Sequence, residues 1–288
     1  MMSIKLKGTD LPESELYNYH SHTQYCDGRA PMEDMAAAAF ESGMETWGFS
    51  PHSPIEAESK CNMSREDVPL YIDEATRIKE IYSGKMKILT GMEIDFLSPD
   101  FGPHIDYFQN LPLDYKIGSV HFVPNQDGIP LDCDGRFERF ASYLKDGYYG
   151  DLRYVVEKYF EQVLIMIERG GFDILGHLDK IAGNAALADP TLENMGWYNA
   201  LIDDVIRNAK DKDLIIEINT KSFLDKHRFF PSQRYWPLLI DRSKGETPEA
   251  LLHKNILFNS DTHYPEKVNL GRMEAIDIFK QNVASLQK

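Results

Sequence analysis

Two histidines, His20 and His22, flank Ser21 at the end of the β-like run Tyr17-Asn18-Tyr19. On a strand, residues two apart point to the same side. Both imidazoles therefore face one way, and neutral imidazole is a common ligand of zinc, iron and related metals. Asp27 follows in the turn Tyr25-Cys26-Asp27-Gly28 and adds a carboxylate from the adjoining loop. Similar residue types recur downstream: His52 after Pro51, Glu93 in Gly-Met-Glu-Ile-Asp, His121 in Gly-Ser-Val-His, His177 in Gly-His-Leu-Asp, and Asp261 with His263 in Ser-Asp-Thr-His. Any one of these could be a loop cap or a solvated strand end. Together they form a set of six histidines and three acids. Nine ligands exceed one tetrahedral ion and suit two or three divalent ions that share carboxylates. Clustered ions favour phosphate-ester hydrolysis, because they polarise phosphoryl oxygens and lower the pKa of a bridging water. Such chemistry asks mainly for positioning and charge stabilisation.

The elements that must position these residues read as alternating strands and helices. Strand-like runs cover residues 16–20, 45–50, 87–94, 115–122, 172–177, 214–219 and 256–260. Helical patterns cover 31–42, 64–83 with a break or restart at Pro69, 151–169, the stripe from Tyr198 to Ala209, and a tail from about Arg272. The stripe Val155, Val156, Tyr159, Phe160, Val163, Leu164, Ile167 has the 3.6-residue period of an amphipathic helix. Such alternation predicts a parallel sheet. Ligand types at the carboxyl ends of all the strands but one favour a barrel, whose active site lies on that face. His104, His227 and His253 lie away from these ends, with His227 near enough to be a minor candidate.

The 288 residues suit one barrel domain over 1–288, since such barrels run to about 250 residues. No apolar run reaches the ~20 residues of a membrane span. The first residues lack the apolar segment of a signal peptide, and Cys26, Cys61 and Cys133 are too scattered for a disulfide framework. A cytoplasmic location follows as the expectation. A net charge of −15 speaks against a nucleic-acid surface, yet admits an anionic substrate, because bound cations reverse the local sign.

In order and spacing, the His-x-His start, Pro51-His52, Glu93, Gly118-Ser119-Val120-His121, Gly176-His177-Leu178-Asp179 and Ser260-Asp261-Thr262-His263 resemble the polymerase-and-histidinol-phosphatase (PHP) superfamily. The resemblance spans about residues 17–269. It is greatest to the histidinol-phosphate phosphatases, through the Gly-Ser-Val-His element, the helix before Gly176-His177, and Glu217-Ile218-Asn219-Thr220 followed by Pro231-Ser232. It implies a distorted seven-stranded (β/α) TIM-like barrel. It implies one ion held by His20, His22, Glu93 and Asp261, a second by Glu93, His121 and His177, and a third by Asp27, His52 and His263. Zinc, manganese or iron would fit such ligands. It also implies a phosphomonoesterase acting on L-histidinol phosphate through a metal-bridging hydroxide, with Asp261 or His263 assisting the leaving alkoxide. Where the family shows a small residue, a glycine and a basic residue after Asn-Thr, this chain reads Lys221-Ser222-Phe223-Leu224. Arg153 and Arg228 are then the candidates for phosphate contact. Competing readings are a phosphatase for another small ester, a phosphotyrosine peptide or a nucleotide, a nuclease, an amidohydrolase-type hydrolase, and a metal-binding barrel without catalysis. Glu93 and His121 stand where an amidohydrolase would carry a bridging lysine, which favours phosphate chemistry.

Overall fold

In a computed structural model, which describes residues 5–6, 9–10, 14–240 and 255–285, seven parallel strands form one sheet. They are β1 (Tyr17–Asn18), β2 (Thr46–Phe49), β3 (Lys87–Asp95), β4 (Tyr115–Ser119), β5 (Ile174–Leu175), β6 (Ile215–Asn219) and β7 (Ile256–Asn259). Each pairs with its neighbours in sequence, so order around the sheet follows order along the chain. The ends of the sheet meet where Ser21 bridges Thr262 in parallel and His22 N–H donates to Thr262 O at 2.8 Å. Below that bridge, side chains close the seam. Asn18 Oδ1 accepts from Ser260 N–H at 2.7 Å, Asn259 Oδ1 from Tyr19 N–H at 2.9 Å, and the Tyr17 hydroxyl from Phe258 N–H at 3.1 Å. The result is a nearly closed, distorted barrel, as the alternation of strands and helices implied.

The main helices are α1 (Met32–Glu41), α2 (Asp67–Ile81), α3 (Leu152–Arg169), α4 (Ala182–Ala188), α5 (Gly196–Asp211) and α6 (Arg272–Ser285). Asp151 caps α3 by accepting the Tyr154 N–H at 2.9 Å, and Gly170, with φ +70°, ends it. Two expectations change. Helix α2 runs unbroken, because Pro69 falls in its first turn, where no intrahelical donor is needed. The run 115–122 divides: β4 stops at Ser119, since the two-residue β5 offers no further pairing, and Phe122–Pro124 forms an antiparallel ribbon with Pro130–Asp132. No helix among the described residues is long and apolar enough to cross a membrane.

Side chains alternate across the barrel wall. Ile88, Met92 and Ile94 of β3 face outward into an apolar cluster with Met35, Trp47, Phe49 and Tyr71. Ile216, Ile218, Ile256 and Phe258 join a second outer cluster with Val156, Phe160, Ile202 and Phe279. Inside lies a third cluster, of Tyr17, Tyr19, Leu89, Tyr115, Ile117, Ile174, Ile215 and Leu257. Tyr115 fills the space that Gly48 and Gly91 leave; a Cβ on either would come within 2.2 or 2.3 Å of its side chain. Its hydroxyl donates to Tyr19 O at 2.5 Å. This plug sets the strand spacing beneath the carboxyl ends.

Candidate metal centre

Above the plug, the inward positions become polar. The inward residue after Gly91 on β3 is Glu93, Ile215 on β6 is followed by Glu217, and Leu257 on β7 leads through Asn259 to Asp261. Glu93, Glu217 and Asp261 are all buried. The structure brings His20, His22, Asp27, His52, Glu93, His121, His177, Asp261 and His263 into one cluster of four overlapping groups. These are His22-Asp27-His52-His263, His20-His22-Asp261, His20-Glu93-His177 and His52-Glu93-His121, each with ligand atoms within 4.8 Å of one another.

Glu93 is central. Its Oε2 lies 3.2 Å from His20 Nε2, 3.0 Å from His52 Nδ1 and 3.6 Å from His22 Nε2; its Oε1 lies 2.9 Å from His177 Nε2. Asp261 Oδ1 lies 3.0 Å from His22 Nε2, and Asp27 Oδ1 3.1 Å from His263 Nε2. The sets that the resemblance implied also lie together: His121 Nε2 is 3.5 Å from Glu93 Oε1 and 3.3 Å from His177 Nε2, His22 lies with His20 and Asp261, and Asp27, His52 and His263 fall in one group. Asp261 reaches the cluster with φ +47°, in the left-handed region that Asp tolerates better than most residues.

The cluster suits divalent ions on its own geometry. His20 Nε2, His22 Nε2, Asp27 Oδ1, His52 Nδ1 and Glu93 Oε2 are buried and crowd against one another without a well-aligned hydrogen bond, and all belong to these groups. Buried polar atoms are rarely left this way. The mixture of imidazole and carboxylate matches zinc, manganese or iron. Burial opposes ionisation of Glu93, but the imidazoles of His20, His52 and His121 outweigh it and hold its carboxyl well below the usual range. Burial likewise disfavours a charged His20, yet Glu217, Glu93 and Asp261 hold it well above the ordinary histidine value.

Two buried carboxylates that the sequence reading did not count as site residues stand behind the histidines. Glu217 Oε1 accepts from His20 Nδ1 at 2.7 Å, and Asp95 Oδ1 from His121 Nδ1 at 2.7 Å. Such pairs fix the imidazole tautomer and aim Nε2 at a metal. The signal was present: Asp95 follows Glu93 by two residues on the same face of β3, and Glu217 lies on the one strand without an apparent ligand.

Two lysines also reach the centre. Lys180 Nζ is 3.6 Å from Asp261 Oδ2, and Lys221 Nζ is 3.3 Å from Asp261 Oδ1. The proposed phosphate contacts are placed elsewhere. Exposed Arg153 pairs with Glu157 at 2.8 Å and stacks over Trp197; Arg228 pairs with Glu193 at 2.6 Å. Neither lines the cavities next to the cluster. His227 is exposed against Phe223, and His104 Nε2 bonds Pro99 O at 3.0 Å, both apart from the cluster. His253 lies outside the described residues. Two cavities open on the centre, and a third lies beside its lysines. One of 160 Å³ is lined by His52, Asp95, His121 and Asp134, one of 400 Å³ by Asp261, His263 and Tyr264, and one of 250 Å³ by Lys180, Asn184 and Phe230. Lys221 lines all three.

Comparison with known proteins agrees with this architecture. A probable histidinol-phosphatase of Schizosaccharomyces pombe is 26% identical over 269 residues, 88% of this chain and 82% of that protein. The histidinol-phosphatase of Lactococcus lactis is 24% identical over 92% of this chain and 90% of its own length. Among solved structures, a putative histidinol phosphatase from Listeria monocytogenes superposes with a TM-score of 0.74 at 20% identity, covering 90% of this chain and 99% of that one. The Lactococcus lactis enzyme, solved with zinc, L-histidinol and phosphate, superposes with a TM-score of 0.67 at 22% identity over 93% and 94%. The PHP domain model matches residues 18–221, from β1 through Lys221. That match takes in more than half of the chain and most of the histidine cluster, and the protein belongs to the PHP domain family.

Proposed function

We propose that the chain is a metal-dependent phosphomonoesterase that hydrolyses L-histidinol phosphate to L-histidinol and phosphate. The observation that carries this reading is the set of overlapping groups joined through Glu93, with their crowded buried atoms. The relatives named above support the choice of substrate.

In this reading, the nine clustered residues hold two or three divalent ions: zinc, manganese or iron. When bound, such ions supply Lewis acidity toward the phosphoryl oxygens and a water activated for attack. The chain's own residues orient that chemistry. Glu217 and Asp95 hold His20 and His121 in their tautomers. Asn219 Nδ2 donates to Asp261 Oδ2 at 3.1 Å and fixes that carboxylate. Asp261 and His263 both line the 400 Å³ cavity, which supports the reading that one or the other returns a proton to the leaving oxygen.

The chain after Asn219-Thr220 forms a short helix, Phe223–Lys226, and Arg228 is engaged by Glu193, which favours, as the second reading, a small phosphate ester of another alcohol. The test is phosphate release by metal-loaded protein from L-histidinol phosphate, phosphotyrosine, a nucleoside monophosphate and a generic aryl phosphate. The reading expects kcat/KM for L-histidinol phosphate at or above roughly 10⁴ M⁻¹s⁻¹, with the others far lower. Uniformly weak turnover would move the substrate elsewhere.

A further inference from the structure

We infer that Lys180 and Lys221 are the two cations that seat the substrate's phosphoryl group, one on each side of Asp261. This rests on the phosphatase reading above. Lys180 is only 4% exposed, which is rare for lysine. Its ammonium lies over the Phe230 ring at 5.1 Å, 3.6 Å from both Asp134 Oδ2 and Asp261 Oδ2. Charge-assisted N–H···O bonds run to about 2.7–2.9 Å. At 3.6 Å its ion pairs leave donor capacity for an anion, since an ammonium carries three donors. Lys221 approaches from the opposite oxygen of Asp261, with Nζ also 3.4 Å from His263 Nε2. Both lysines line the 250 Å³ cavity beside the cluster.

The loop that faces Lys180 is built to stay in place. Buried Asn184 donates from Nδ2 to Cys133 O at 3.0 Å and to Gly135 O at 2.9 Å. Asp132 Oδ1 accepts the Asp134 and Gly135 N–H groups, both at 2.9 Å. Asp134, between these straps, is a positioning residue that keeps the Lys180 ammonium next to Asp261. Arg139, Arg29, Lys267 and Lys226 also line these cavities, but among the described residues Lys180 and Lys221 are the lysines or arginines that pair with Asp261.

The test uses full-length, metal-loaded protein and inorganic phosphate as probe. Phosphate binding is measured by calorimetry, and as inhibition of aryl phosphate hydrolysis, for wild type, Lys221→Met, Lys221→Arg and Lys180→Met. Loss of a hydrogen bond to a charged group should weaken phosphate binding and raise KM roughly 10- to 100-fold in Lys221→Met, with metal content unchanged. Lys221→Arg should recover most of the affinity, and Lys180→Met should fall in the same direction. Unaltered phosphate affinity and KM in Lys221→Met would overturn the assignment while leaving the phosphatase reading intact. Lys221 is partly exposed, so its variants decide the matter even if Lys180→Met fails to fold. Wild-type protein that binds no phosphate and hydrolyses no phosphate ester would overturn both.

Discussion

The barrel interior holds two layers that differ completely in chemistry while sharing the same strands. On β3, Leu89 belongs to the apolar plug and Glu93 to the polar cluster; on β6, Ile215 and Glu217; on β7 and just past its end, Leu257 and Asp261. On β6 the change takes two residues, a rise of about 6.6 Å. The plug closes the barrel with rings and aliphatic chains and holds the strands at fixed spacing. The layer above collects buried charges that cost several kcal/mol per ion to desolvate unless well paired. Within the barrel, then, packing belongs to one layer and chemistry to the next, and a change in either should register mainly in its own readout.

The largest expected effect is in the polar layer. Glu93→Ala removes the carboxylate common to two groups and should lower kcat/KM and metal content beyond the roughly 100-fold upper range for residues behind ligands. Near-normal turnover at full metal occupancy would remove Glu93 from the centre. The matching change below is Leu257→Ala, which should cost about 2–5 kcal/mol in urea unfolding while turnover per bound metal stays at the wild-type value. A large loss of turnover without loss of stability would show that the layers are not separable. Between them stand the orienting carboxylates. Glu217→Gln or Asp95→Asn should weaken metal affinity roughly 10- to 100-fold, read by competition with a chelator, and retention equal to wild type would deny them that role. The smallest effect belongs outside both layers: Arg153→Ala should change stability by no more than about 0.5 kcal/mol and leave KM alone, because Arg153 is exposed on α3.

Much of this contrast could be read in the sequence, for identifiable reasons. Period-two alternation and strand-to-helix alternation are local patterns, so the seven strands and the clean stripe of α3 were evident. His-x-His puts both members on one side, and the closed sheet then brings separate strand ends together. Long-range choices were harder. Nothing local shows that Asn18 and Asn259 close the seam, or that the chain leaves β4 after Ser119 for a ribbon. Nothing after Gly-His-Leu-Asp marks Lys180 as buried, because Asp134, Phe230 and Asp261, which surround its ammonium, are far away in sequence. The ion pairs of Arg153 with Glu157 and of Arg228 with Glu193 were hidden for the converse reason: a cation in sequence carries no mark of its partner.

The central claim is that the polar layer binds divalent ions and hydrolyses a phosphate ester with them. Its most direct measurement is the stepwise reloading of chelator-stripped protein, following bound metal and phosphate release from L-histidinol phosphate in the same samples. The account expects turnover to be absent in stripped protein and to return in step with two or three ions per chain. Full turnover in stripped protein, or complete metal uptake with no turnover of any phosphate ester, would contradict it.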